Sequence, residues 1–158
     1  RVLDCGLPLV VDADAVNLLA VEPYFHDKWV LTPHPGEAAR LIGCTTVEIQ
    51  QERFSAVASI AASYGGVAVL KGAGTIVEAL GGEPAVCSAG NPGMAGGGMG
   101  DVLSGVIAAL IAQGMGLEQA ARIGVTLHAE AADRAAAQGE RGMLATDLLP
   151  YLRKLCNP

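Results

Sequence analysis

Charge is scarce in this chain: 16% of its 158 residues are Asp, Glu, Lys or Arg, against 51% hydrophobic residues and a mean hydropathy of +0.40. That balance excludes intrinsic disorder and leaves a compact domain or a membrane protein. Long apolar runs are also missing. The charge-free stretches, residues 54–70, 84–100 and 102–117, are broken by Gly, Ser, Asn or Gln and fall short of the roughly 20 apolar residues a membrane span needs. Basic clusters are missing too. Ten Lys and Arg stand against 16 Asp and Glu, a net charge of −6, so nothing here tracks a phosphate backbone. Neither a membrane nor a nucleic acid is expected as a partner.

The four cysteines, Cys5, Cys44, Cys87 and Cys156, form no metal-type CxxC pair. With no signal peptide in the sequence, they read as reduced thiols of a cytoplasmic protein. An initiating methionine is absent as well. The chain opens at Arg1, and residues 7–11 already read as a buried strand, so it is expected to begin partway through a fold and to lack an N-terminal part.

What is present is an alternation of short β-branched or Leu-rich runs with longer helical patterns, which predicts an α/β fold, a parallel sheet flanked by helices on both faces. Strands are expected at residues 7–11, 28–31 and 67–70, and a hairpin over 75–80 and 84–87 turning at Gly81-Gly82. Thr45 and Glu48 have capping-box spacing, and the apolar pattern to Tyr64 predicts one amphipathic helix stopping at Gly65-Gly66. Further helices are expected over 102–113, 117–138 and from Thr146, with Thr146 as a cap. No internal repeat or linker divides residues 1–158, which read as part of one domain.

The chemistry-bearing segments follow predicted strands, where ligands gather in parallel sheets. Asn91-Pro92-Gly93-Met94-Ala95-Gly96-Gly97-Gly98-Met99-Gly100-Asp101 is a glycine loop opening a helix. Its backbone N–H groups and the helix dipole suit an anion. It lacks the Lys-Ser/Thr of a Walker loop and the lead-in strand of a dinucleotide fingerprint. Asp101, in the first turn, either caps the helix or serves as a base toward a hydroxyl attacking phosphorus. Lys71-Gly72-Ala73-Gly74-Thr75 is either a ligand loop with a point charge or a solvated turn. His34, between Pro33 and Pro35, suits hydrogen bonding to a substrate, although alone it reads as an idle loop residue. In Asp12-Ala13-Asp14-Ala15-Val16-Asn17, Asp14 is favoured as a helix cap over either Asp12 or Asp14 as a metal ligand. His128 reads as a satisfied structural histidine, and Met94 and Met99 as loop packing.

These segments in this order, with Thr32-Pro33-His34-Pro35-Gly36-Glu37 and Gly98-Met99-Gly100-Asp101-Val102-Leu103-Ser104-Gly105, resemble the ADP-dependent NAD(P)H-hydrate dehydratases nearly end to end. The resemblance implies a ribokinase-like fold and, in many bacteria, fusion to or partnership with an NAD(P)H-hydrate epimerase. It implies dehydration of the S form of hydrated NADH or NADPH at the expense of ADP, giving AMP and phosphate, with Mg2+ as a cofactor and a homo-oligomer as the assembly. By position, Lys71, Gly72, Ala73, Gly74, Thr75 and Gly100 would line the nucleotide, and His34 and Asp101 the hydrated nicotinamide. Asp101 would be the catalytic base, and Gly98, Met99 and Gly100 the anion loop.

Two departures stand out. The family carries a Gly-rich segment ahead of the strand at residue 7 that is not in this sequence, and Gly96 and Met99 stand where it often has small hydroxyl residues. Two other readings share the motifs: a ribokinase-like kinase of small alcohols, and an inactive nucleotide-binding fragment. The Lys71 and Gly100 loops are expected to converge at one edge of the sheet.

Overall fold

In the computed structural model, which describes residues 3–157, five strands form one sheet in the order β1-β2-β3-β4-β5. The strands are β1 (Leu9–Val11), β2 (Trp29–Leu31), β3 (Val67–Leu70), β4 (Thr75–Ala79) and β5 (Ala85–Cys87). β1, β2 and β3 run parallel, with Leu9 opposite Trp29 and Val30 opposite Val67. β3–β4 and β4–β5 are antiparallel. The sheet is therefore mixed, not parallel throughout. The link between β3 and β4, residues 71–74, is far too short for the crossover a parallel pair requires. The β4–β5 hairpin forms where the sequence predicts it.

β2 and β3 are buried along their whole length, as continuous apolar runs must be when helices cover both faces. The period-two alternation of side chains sorts them into two cores. Trp29, Leu31, Ala68 and Leu70 join Val16, Leu41, Ile49, Val57 and Ile60 from α1 (Ala13–Val21), α2 (Pro35–Ile42), α3 (Thr46–Gln51) and α4 (Arg53–Tyr64). Val30, Val67 and Val69 instead pack on Leu103, Ile107, Ala121 and Val125 from α5 (Met99–Ala112) and α6 (Leu117–Ala136). A third cluster joins Met99 to Ala131, Met143 and Leu148, leading to α7 (Leu149–Leu155).

Several boundaries differ from the sequence reading. The expected helix over residues 45–64 is two, because Glu52 leaves helical geometry at φ −127°, ψ 51°. The Thr45–Glu48 capping box at its start is present, each residue accepting the other's backbone N–H. Asp14 is not a cap. Asp12 holds the N-cap position of α1, and its carboxylate is engaged elsewhere. Thr146 is not a cap either: Leu144 precedes a 3-10 turn, Ala145–Leu148, and its N–H donates to Asp147 Oδ2. Among the described residues no helix is long and apolar enough to cross a membrane.

Candidate functional site

The three parallel strands end side by side, so whatever follows each of them meets at one edge. Asp12 follows β1, Thr32, Pro33 and His34 follow β2, and Lys71 follows β3. The Lys71 N–H donates to Pro33 O at 2.9 Å, which ties the second loop to the third. Lys71 Nζ donates to Asp12 Oδ1 at 2.6 Å, and Ser104 Oγ on α5 donates to Asp12 Oδ2 at 3.2 Å. Burial on its own would raise the Asp12 carboxyl. The hydrogen bond and charge of Lys71, with bonds from Ala13 N–H and the Thr32 hydroxyl, hold it below the usual carboxylate range.

The N-terminus of α5 comes to the same edge. Gly98 occupies its N-cap in the left-handed region, at φ +83°, without strain because it has no β-carbon. A β-carbon on Gly100 would lie 3.0 Å from Asp12 Oδ2 and 3.4 Å from Lys71 Nζ. The Lys71 loop and the Gly100 loop thus share one edge, although residues 88–97 separate the second from β5 and it does not follow a strand directly. Asp101 is exposed in the first turn of α5 and is not its N-cap. Gly72, Ala73, Gly74 and Thr75 complete the β3–β4 turn, where the Thr75 hydroxyl donates to Gly72 O at 3.1 Å.

The segment before α5 is held, not loose. Asp133 on α6 accepts from Gly90 N–H at 2.9 Å and from Asn91 Nδ2 at 2.8 Å. Asn91 Oδ1 in turn accepts from Gly93 N–H and caps the 3-10 turn Pro92–Ala95. Met99 is buried and Met94 partly so, both as packing.

His34 has a definite task. It caps α2, its Nδ1 accepting from Gly36 N–H at 3.0 Å and Glu37 N–H at 3.2 Å, while Glu37 Oε2 accepts from His34 N–H at 2.7 Å. An Nδ1 that accepts twice carries no proton, so the ring proton is on Nε2. That nitrogen, 3.4 Å from Glu37 Oε1, is on a half-exposed side chain at the edge of the site.

His128 differs from the sequence reading. It is buried on α6, and its Nε2 has no hydrogen-bond partner. Burial pushes its pKa down to about 4; a backbone hydrogen bond at Met99 opposes the shift and the Lys71 charge adds to it. The residues around it, not its own helix pattern, decide this, so no local signal gave it away. Asp133, Ser104 and Arg53 were missed for the same reason. Each reaches the site from a helix whose sequence reads as packing.

Among the described residues no group of three or more His, Cys, Asp or Glu side chains could hold a metal. Asp12 is already committed to Lys71 and Ser104. This donor set builds no resident metal cage. It is compatible with a Mg2+ carried by nucleotide phosphates and water.

The model of a family described as NAD(P)H-hydrate dehydratase matches residues 1–154. The chain is 55% identical over 159 residues to a bifunctional NAD(P)H-hydrate repair enzyme of Coxiella burnetii, covering 100% of this chain and 33% of that protein. Among solved structures, the ADP/ATP-dependent NAD(P)H-hydrate dehydratase of Bacillus subtilis, co-crystallized with ATP/Mg2+, has a TM-score of 0.89 at 29% identity, covering 98% of this chain and 56% of that one. A ribokinase-like superfamily protein of Enterococcus faecalis has a TM-score of 0.77 at 31% identity, covering 96% and 54%. The chain therefore spans about a third of the curated bifunctional relative and little more than half of each solved chain.

Proposed function

This chain belongs to the NAD(P)H-hydrate dehydratase family, with a ribokinase-like fold, and from that premise we propose that it dehydrates the S form of hydrated NADH or NADPH at the expense of ADP. The observation that carries the reading is the meeting of Lys71, Asp12 and Gly100 at the N-terminus of α5, with the Asp101 carboxylate exposed in that same turn.

ADP lies along residues 71–75 with its phosphates toward the Gly98, Met99 and Gly100 N–H groups, where the helix dipole and the Lys71 ammonium offset their charge. Lys71 is already oriented by Asp12, so little side-chain freedom is lost on binding. His34 donates from Nε2 to a substrate oxygen. Asp101 takes the proton of the C6 hydroxyl as its oxygen attacks the β-phosphorus of ADP. The bond from that phosphorus to the bridging oxygen breaks and AMP leaves. In the second stage the C6–O bond breaks with loss of phosphate, a proton leaves C5, and the ring double bond re-forms. A Mg2+ that arrives with the nucleotide would neutralise phosphate charge. An epimerase, fused or separate, would supply the S form.

The test is incubation with ADP and hydrated NADH. NADH regained mole for mole with AMP and phosphate is the expected result. A stable phosphorylated product without NADH would make the protein a kinase of small alcohols, and a failure to bind ADP would make it an inactive piece of the fold.

A further inference from the structure

Arg53, the first residue of α4, lies under the β3–β4 turn although nothing in its own helix calls for it there. Its Nη2 donates to Leu70 O at 3.2 Å and to Gly74 O at 3.1 Å, the residues that flank the turn's tip, and its Nη1 donates to Gln50 Oε1 at 3.0 Å. Among the described residues no carboxylate lies within 4.0 Å of this guanidinium. It is partly withdrawn from water, which also lowers its pKa. A β-carbon on Gly72 would lie 3.1 Å from Nη1 and 3.4 Å from Nη2, so the guanidinium supports the backbone of the turn from behind. Arg53 directly follows the break at Glu52, where α3 ends and α4 begins.

We propose that Arg53 is a positioning residue for the nucleotide, clamping both ends of the residue 70–74 turn so that the turn is preformed when ADP arrives. The inference rests on the assignment of residues 71–75 to ADP. The planar guanidinium is held on Gln50 Oε1 through Nη1 and on the two carbonyls through Nη2, an arrangement that fixes the turn's shape against the end of α3. The clamp touches no reacting atom, so its effect belongs to nucleotide binding and not to the chemical step.

The experiment uses the full-length protein with Arg53→Lys and Arg53→Met, reading ADP affinity by calorimetry, kcat at saturating ADP, and melting temperature. Lysine keeps the charge but carries a single nitrogen on a flexible stem, so it loses the rigid plane that holds Leu70 O, Gly74 O and Gln50 Oε1 at once. Both substitutions are expected to weaken ADP binding about ten-fold or more while kcat stays within about three-fold. The melting temperature should move little. ADP affinity within about two-fold of the unsubstituted protein in both variants overturns the inference, as does a loss confined to kcat. Loss of the folded state in Arg53→Lys overturns it too, since the arginine would then be a structural prop of the domain. If the unsubstituted protein binds no ADP, the functional reading fails and takes this inference with it. Binding that survives unchanged in the variants sinks the inference alone.

Discussion

Asp12 and Asp101 are both carboxylates beside the α5 N-terminus, and their surroundings are opposite. Asp12 is bonded to Lys71 and Ser104 and held below the ordinary carboxylate range, so it is a poor proton acceptor and a good anchor. Asp101 is exposed, and the proposed reading makes it the acceptor of the substrate's hydroxyl proton. Asp101→Asn is therefore expected to lower kcat by about 10² to 10⁴ while ADP affinity and melting temperature hold. Retained kcat would remove Asp101 as the base. Gly100→Ala separates stability from function in another way. Alanine at a helical position favours the helix by up to about 1 kcal/mol relative to glycine. Its β-carbon would press on Asp12 and Lys71, which offsets that gain, so we expect weaker ADP binding by calorimetry with little net change in melting temperature. Asp12 also carries a pH signature. Its folded pKa lies below its unfolded value near 3.8, so its ion pair stabilises fully above that value and is lost as pH falls through the lower folded one. Asp12→Asn should flatten the acid limb of stability below that value in urea unfolding.

At the scale of elements, α5 and α6 are pressed together, a β-carbon on Gly124 of α6 falling 2.7 Å from Ile107 Cγ1 of α5. His128 is buried in α6 near the start of α5, and its folded pKa of about 4 lies below the unfolded value of 6.5. The unfolded chain binds the proton first, so the protein loses stability as pH falls from 6.5 toward 4, by roughly 2–4 kcal/mol over the window. His128→Gln should abolish that slope in urea unfolding measured across the same range. An unchanged slope would assign it to other groups. The caps are the other element-scale handle: Thr45→Ala removes the hydroxyl that accepts Glu48 N–H, leaves the Glu48 carboxylate on the backbone N–H of residue 45, and should cost about 1 kcal/mol.

Elements were the level most legible from sequence. β3, the β4–β5 hairpin and the Thr45 cap carry their signals in adjacent residues: a four-residue apolar run, a Gly-Gly turn, a Thr and Glu three apart. The break at Glu52 and the true duties of Asp12, Arg53, Asp133 and His128 were not legible. The duties arise from partners between 17 and 92 residues away, which local periodicity does not encode. The site was legible in part, because glycine loops and a lysine at a strand end announce themselves locally. The network that orients them does not.

Across the whole molecule, a chain of net charge −6 gathers Lys71, Arg53 and a helix N-terminus at one edge of its sheet, which is where an anionic nucleotide is proposed to bind. ADP should then raise the unfolding free energy by mass action, by about 2.7 kcal/mol at a hundred-fold excess over Kd. The fate of one oxygen tests the proposed chemistry more directly. Hydrated NADH carrying a heavy-oxygen label in its C6 hydroxyl is turned over with ADP by the full-length protein, and the products are read by mass spectrometry. Attack of that hydroxyl on the β-phosphorus, assisted by Asp101, predicts the label in inorganic phosphate with none in water. Label released to water, with unlabelled phosphate, would contradict phosphoryl transfer to the substrate and the role given to this edge of the sheet.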